Sequence, residues 1–176
     1  LAGAAAYGGY SDVISPATSA PLADGDVLML DTGAVWDGYF CDFDRNFSIG
    51  TPSETIRDGH RKLIEATHEA AQSVRPGQTA AELFHVMDKV LTAGANDEDA
   101  GRYGHGLGMQ LTEWPSLMAA DMTVLQTGMV LTLEPMVTLD DGQILVHEEN
   151  FVLTKDGAQF LSDPASPDIT QIGGRL

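Results

Sequence analysis

The chain has 176 residues, 43% hydrophobic and 20% charged, the profile of one globular domain able to bury a core rather than of a disordered segment. Nine Lys+Arg against 26 Asp+Glu leave a net charge of −17. Such a balance repels phosphate backbones and anionic lipid, so neither nucleic acid nor a membrane surface is expected as a partner.

The excess acid has two open sources, a solvated acidic surface and carboxylates neutralised by bound cations. One cysteine, Cys41, rules out an internal disulfide and fits a reducing compartment, the cytoplasm. The chain opens on Leu1, and "LAGAAAYGGY" has neither a basic start nor a long apolar run, so it reads as neither signal peptide nor membrane span. The expectation is a part of a longer polypeptide.

Residues 1–24, rich in Gly, Ala, Ser and Pro, read as extended segments and turns. "GDVLMLD" (25–31) and "AVWDGYF" (34–40) predict two β-strands joined by a turn at Thr32-Gly33. A helix is expected over about 54–74, with Ile56, Leu63, Ala66 and Ala70 on its apolar face and "RPG" ending it. A second helix should begin at Thr79, because Thr79 and Glu82 have capping-box spacing ahead of "LFHVMDKVL". "GRYGHGLGMQLTEWPS" is a glycine-rich loop or strand; "GMVLTLEPMV" (128–137) and "QILVHEENFVLT" (143–154) predict strands around a "DDG" turn.

The two strand pairs echo each other. Residues 25–31 and 128–134 share the form Gly-x-Val-Leu-x-Leu-acid, and each pair carries a second acid, inside "CDFDRNF" or "HEENFVL". This predicts a pseudo-twofold α/β domain whose halves bring carboxylates to a shared centre. Converging carboxylates in an apolar setting must either rise in pKa or bind cations. Two divalent ions roughly 3.5–4 Å apart would compensate them and could activate a water and polarise a carbonyl. His105, between glycines in "GHGLG" (104–108), offers the imidazole such a site usually includes.

The ordered set Asp31, Asp42, His105, Glu134 and Glu148 resembles the five-ligand signature of the pita-bread metallopeptidases, the family of methionine aminopeptidase, Xaa-Pro aminopeptidase and prolidase. The resemblance runs through Asp31-Thr32-Gly33, Gly38-Tyr39, Asp42 to Phe47, Gly50, "GHGLG", Thr132 to Pro135, and Glu148, Val152 and Thr154, most of residues 25–154. It implies an α+β pita-bread fold, an antiparallel sheet flanked by helices, with residues 1–176 a catalytic domain lacking its first helix or an upstream domain. It also implies two divalent ions of Mn, Co, Zn or Fe, a peptide or small amide substrate, and allows a homodimer. Asp31 would hold one ion, Asp42 and Glu148 would bridge both, and His105 and Glu134 would complete the second. Glu134 would accept and return the proton as a metal-bridging hydroxide attacks the amide.

The sequence departs from that pattern in its accessory groups. The His that peptidase members usually carry 17 or 18 residues before the first Asp has no counterpart in "DVISPATS", and a second expected His is Thr112. The Arg that prolidase-like members place two residues before the final Glu is Val146, and Asp44 stands where Thr or Ser is common. These differences leave open a non-peptide hydrolase or lyase on the same fold, or a fold-retaining binder.

Thr112 and Tyr103 are the candidate substrate contacts, although core packing explains Tyr103 and Trp114-Pro115 equally well. Asp44, two residues beyond Asp42, should share its face. Asp37 reads as a turn residue, and His60, His68 and His85 as surface or core-edge groups on helices. Arg45 reads as a structural partner for the acids. Cys41 should face away from Asp42, and His147 away from the metals.

Overall fold

The computed structural model describes residues 2–6, 19, 21–93, 101–140 and 142–173. The segment "DVISPATS" and Asp141 of the "DDG" turn lie outside these residues or nearly so. Of the amino-terminal stretch expected to be extended, Ala2–Ala6 forms β1.

The first pair of strands is one long hairpin. β2 (Val27–Trp36) and β3 (Tyr39–Ile49) are antiparallel, with Trp36 opposite Tyr39 and a two-residue turn at Asp37-Gly38. Asp37 and Gly38 have φ of 49° and 86°, the paired positive values that a tight hairpin demands and that Asp-Gly supplies most readily. The turn expected at Thr32-Gly33 is therefore a misplacement: β2 runs straight through it, with Thr32 opposite Phe43 and Gly33 opposite Asp42. Gly33 serves close approach instead, since a Cβ there would stand 3.1 Å from the Cys41 carbonyl oxygen. Strand alternation buries Asp42, Asp44, Asn46 and Ser48 along one face of β3. β1 extends the sheet beyond β2, and β11 (Thr170–Ile172) adds to β3 in parallel.

α1 (Glu54–Ser73) starts at Ser53, whose hydroxyl accepts from the Ile56 N–H, and α2 (Ala80–Leu91) starts at the expected Thr79–Glu82 capping box. Leu63, Ala66 and Ala70 of α1 and Leu83, Phe84 and Met87 of α2 enter one core with Leu131, Leu133, Phe151 and Leu153. Each fully buried Leu or Phe contributes about 1.5–3 kcal/mol to that core. His60 departs from the expectation of a surface or edge group: it is 3% exposed, because it falls on the stripe that carries Ile56 and Leu63 inward. His68 and His85 are half-buried and exposed.

The two carboxy-terminal strands break, which the apolar runs conceal. β6 (Val130–Leu133) and β9 (Glu149–Thr154) belong to a five-stranded sheet ordered β10-β9-β6-β4-β5, with β4 Gly104–Gly106, β5 Glu113–Ser116 and β10 Gly157–Phe160. β7 (Met136–Thr138) and β8 (Ile144–Val146) peel away as a separate ribbon. The break between β6 and β7 is at Glu134-Pro135, where proline removes a ladder donor. The matching break at His147-Glu148 lies opposite, with the His147 N–H donating to the Pro135 carbonyl at 3.3 Å. Glu134 and Glu148 thus leave the ladder where the chain changes sheets.

A reciprocal pair of asparagine bonds joins the two halves. Asn46 Nδ2 donates to the Val146 carbonyl, and Asn150 Nδ2 donates to the Asp42 carbonyl. Each asparagine stands four residues beyond the carbonyl that its counterpart holds, the local signature of a twofold relation.

His60 ties α1 to the carboxy-terminal segment, its Nε2–H donating to the Ser166 carbonyl at 3.0 Å. Burial lowers its pKa below the usual 6.5, outweighing the Ser166 bond and helped by His147, with Asp168 opposing. The unfolded chain then binds the proton more readily, so this group's contribution is present above the ordinary histidine range and lost as pH falls. His60→Gln is expected to cost about 1–2 kcal/mol at pH 7.5 and less at pH 5, measured as the difference from wild type in urea unfolding.

Candidate metal centre

The hairpin register builds the first half of the site. Asp31 on β2 lies directly opposite Asp44 on β3, and Asp42 lies two cross-strand pairs along, opposite Gly33. Directly opposed residues share a face, so Asp31, Asp42 and Asp44 point to the same side.

β4 supplies the imidazole from between two crowded neighbours. It pairs with both β6 and β5, and a Cβ on Gly104 would lie 2.2 Å from the Thr132 carbonyl oxygen, on Gly106 2.5 Å from that of Trp114. Only glycines on either side let His105 sit this deep, at 2% exposure. Its Nδ1 lies 2.8 Å from the Gly106 carbonyl, which fixes the tautomer with the proton on Nδ1. The Nε2 lone pair is thereby aimed at the acids, 2.6 Å from Glu134 Oε1 and 3.6 Å from Asp42 Oδ2.

Two sets of three ligand atoms converge within 4.8 Å among the described residues: Asp42, His105 and Glu134, and Asp31, Asp42 and Glu148. All five residues expected as ligands meet at this seam. Asp42 belongs to both sets, whereas Glu148 groups with Asp31.

The electrostatics of these side chains show what the seam lacks. Burial, then the charges of Glu134 and Asp31, raise the Asp42 pKa to about 6, against opposition from His105 and Arg102. Burial and Glu134 raise Asp31. Glu148 and Asp44 are pushed well above the carboxylate range, chiefly by burial and then by their neighbouring acids. For His105, burial opposes the imidazolium, but the hydrogen bond and charge of Glu134 outweigh it and raise the pKa. Glu148 Oε2 and Asp44 Oδ1 are buried without a hydrogen-bond partner. Oxygen-rich donors with one imidazole and orphaned carboxylate oxygens fit divalent cations, which would supply the missing charge.

Arg45 holds the frame, as its reading as a structural partner implied. Its guanidinium donates to the main-chain carbonyls of Asp44 at 2.9 Å and Glu148 at 2.6 Å, and to Glu149 Oε2 at 3.0 Å. Fully buried Glu149 also meets His147 Nε2 at 3.1 Å and the Ala165 N–H at 2.8 Å. His147 accordingly faces Glu149 rather than the acids of the two ligand sets. Glu149, Asn46 and Asn150 escaped the sequence reading. Asparagine at inward positions of a β-strand, where that residue is depleted, was the available signal.

The candidate substrate contacts fall in different places. Thr112 is exposed in the turn between β4 and β5. Tyr103 is 3% exposed with its ring stacked on Phe84 at 4.7 Å, and it meets the site through its main chain, whose carbonyl accepts the Glu134 N–H at 2.8 Å. A cavity of about 520 Å³ lies between α1, the end of α2 and β7, with Asp58, Lys62, Tyr103 and Leu139 on its wall.

The model of metallopeptidase family M24 matches residues 3–156, and the chain belongs to that family. It is 32% identical over 139 residues to an Xaa-Pro dipeptidase of Pyrococcus furiosus, covering 78% of this chain and 40% of the relative. The prolidase of Pyrococcus horikoshii OT3 superimposes with a TM-score of 0.84 at 29% identity, over 95% of this chain and 49% of that one. The X-Pro aminopeptidase of Thermotoga maritima MSB8 does so with 0.87 at 26% identity, over 97% and 49%. The α+β pita-bread fold is therefore shared. The chain spans about 40% of the length of the curated relatives it matches and about half of the solved ones.

The crowding around β4 gives a direct check. Gly104→Ala, with φ of 148° and no room for a Cβ, should cost about 2–4 kcal/mol in denaturant unfolding. Arg45→Met should also destabilise, by about 2–4 kcal/mol, because it leaves the buried Glu149 with His147 and the Ala165 N–H but without its guanidinium.

Proposed function

We propose that this chain is the catalytic domain of an Xaa-Pro dipeptidase or aminopeptidase working with two divalent cations. The observation that carries the reading is the pair of three-residue ligand sets joined at Asp42. Asp31, Asp42 and Glu148 would hold one cation, and Asp42, His105 and Glu134 the other. When bound, the cations supply Lewis acidity toward the scissile carbonyl and a water of lowered pKa. Manganese, cobalt, zinc and iron all suit this donor set.

The protein's own groups orient the site and move the proton. His105, with its Nδ1 proton committed to Gly106, keeps Nε2 turned to the acids. Glu134 is pinned through its N–H to Tyr103, and its carboxylate lies between His105 and Arg102, the latter at 3.6 Å. That carboxylate accepts a proton as the amide is attacked and returns it to the leaving nitrogen. The apolar residues Trp36 and Tyr39 at the hairpin tip and Leu111 beside Gly33 are exposed near this end of the hairpin and offer surface to a proline ring.

A second reading rests on Thr112, which occupies the place of an accessory histidine and carries no titrating nitrogen. It makes the chain a metal-dependent enzyme of the same fold acting on a small non-peptide amide or related compound. The manganese- or cobalt-loaded protein is expected to release proline from Xaa-Pro dipeptides and to stop on chelation. Glu134→Gln should lower kcat by about 10²–10⁴-fold. Turnover of small amides with no cleavage across an Xaa-Pro panel would favour the second reading. Metal-dependent turnover lost in Glu134→Gln would exclude a non-catalytic binder.

A further inference from the structure

We propose that Asp44 is a fifth carboxylate of the metal centre, supplying negative field to the cation pair without ligating either cation. It deepens the preceding reading and rests on it. Four observations carry it. Asp44 is 2% exposed, on a strand face that also carries Asp42. The hairpin register sets it directly across from Asp31, so its carboxylate is directed at the acids rather than away from them. Its Oδ1 is buried with no hydrogen-bond partner. It nevertheless belongs to neither converging ligand set.

The nearest fixed cation does not satisfy Asp44. Arg45 donates to the Asp44 main-chain carbonyl and commits the rest of its guanidinium to the Glu148 carbonyl and to Glu149. A carboxylate buried this deeply is costly unless charge or hydrogen bonds compensate it. Two dications a short distance away through a low-dielectric seam would compensate it strongly, and the attraction is mutual. Because it acts through the field and not through coordination, Asp44 should strengthen different dications by similar factors.

Isothermal titration calorimetry of the protein with Mn²⁺ and separately with Co²⁺ tests this, comparing wild type with Asp44→Asn and Asp44→Thr. Both variants should bind each ion at least roughly tenfold more weakly, by similar factors for the two ions. The metal-free variants should melt at or above the wild-type temperature, since a buried carboxyl oxygen without a hydrogen-bond partner has gone. Affinities within about twofold of wild type in either folded variant overturn the proposal. A loss confined to one ion indicates ligation and also overturns it. Should Asp44→Asn fail to fold, Asp44→Thr decides by the same criteria. If wild type binds neither ion, the dimetal reading falls with this one; if wild type binds and the variants match it, only the role of Asp44 falls.

Discussion

Repulsion among buried carboxylates is the constraint on which the rest of this structure depends. Asp31, Asp42, Asp44, Glu134 and Glu148 face one another across the seam between two halves, and burial together with the neighbouring acids raises the pKa of four of them. Arg102 is 40% exposed, and Arg45 spends its hydrogen bonds on backbone and on Glu149. A seam so charged tends to open unless it is held mechanically and neutralised chemically. The protein supplies the first, and cations suit the second.

The mechanical hold across the seam is made from asparagine and arginine donors, chiefly to backbone acceptors. Asn46 and Asn150 exchange bonds across the seam, each at the other strand's main chain. Arg45 adds a clamp on the Asp44 and Glu148 carbonyls, so acids from distant parts of the chain share one guanidinium. Side-chain carboxylates are left with lone pairs to spare, which is what a cation site requires. The strand breaks serve the same end: a ladder that continued through Glu134-Pro135 and His147-Glu148 would fix both acids by strand alternation, whereas the break aims them at the seam.

Much of this was legible in the sequence where the determinants are local. The capping box at Thr79 and the apolar stripe of α1 rest on residue types at short spacing, whereas the five expected ligands, spread from Asp31 to Glu148, come from the resemblance to a family, and the structure brings those side chains together. The hairpin was half legible. Asp37-Gly38 carries the turn and Gly33 does not, and a glycine that admits a neighbouring carbonyl looks the same in sequence as one that bends the chain. His60 misled for a related reason, since its Ser166 partner lies 106 residues away. The asparagine stitches and the Glu149 network depend on partners about as distant, and no local pattern announces them.

In the proposed function the seam is completed by two cations per chain, one for each ligand set. Elemental analysis by inductively coupled plasma mass spectrometry, on protein equilibrated with Mn²⁺ and dialysed free of excess, reads that quantity directly. Close to two equivalents of manganese per chain are expected. One equivalent, or none, would contradict a centre built from two ligand sets that share Asp42.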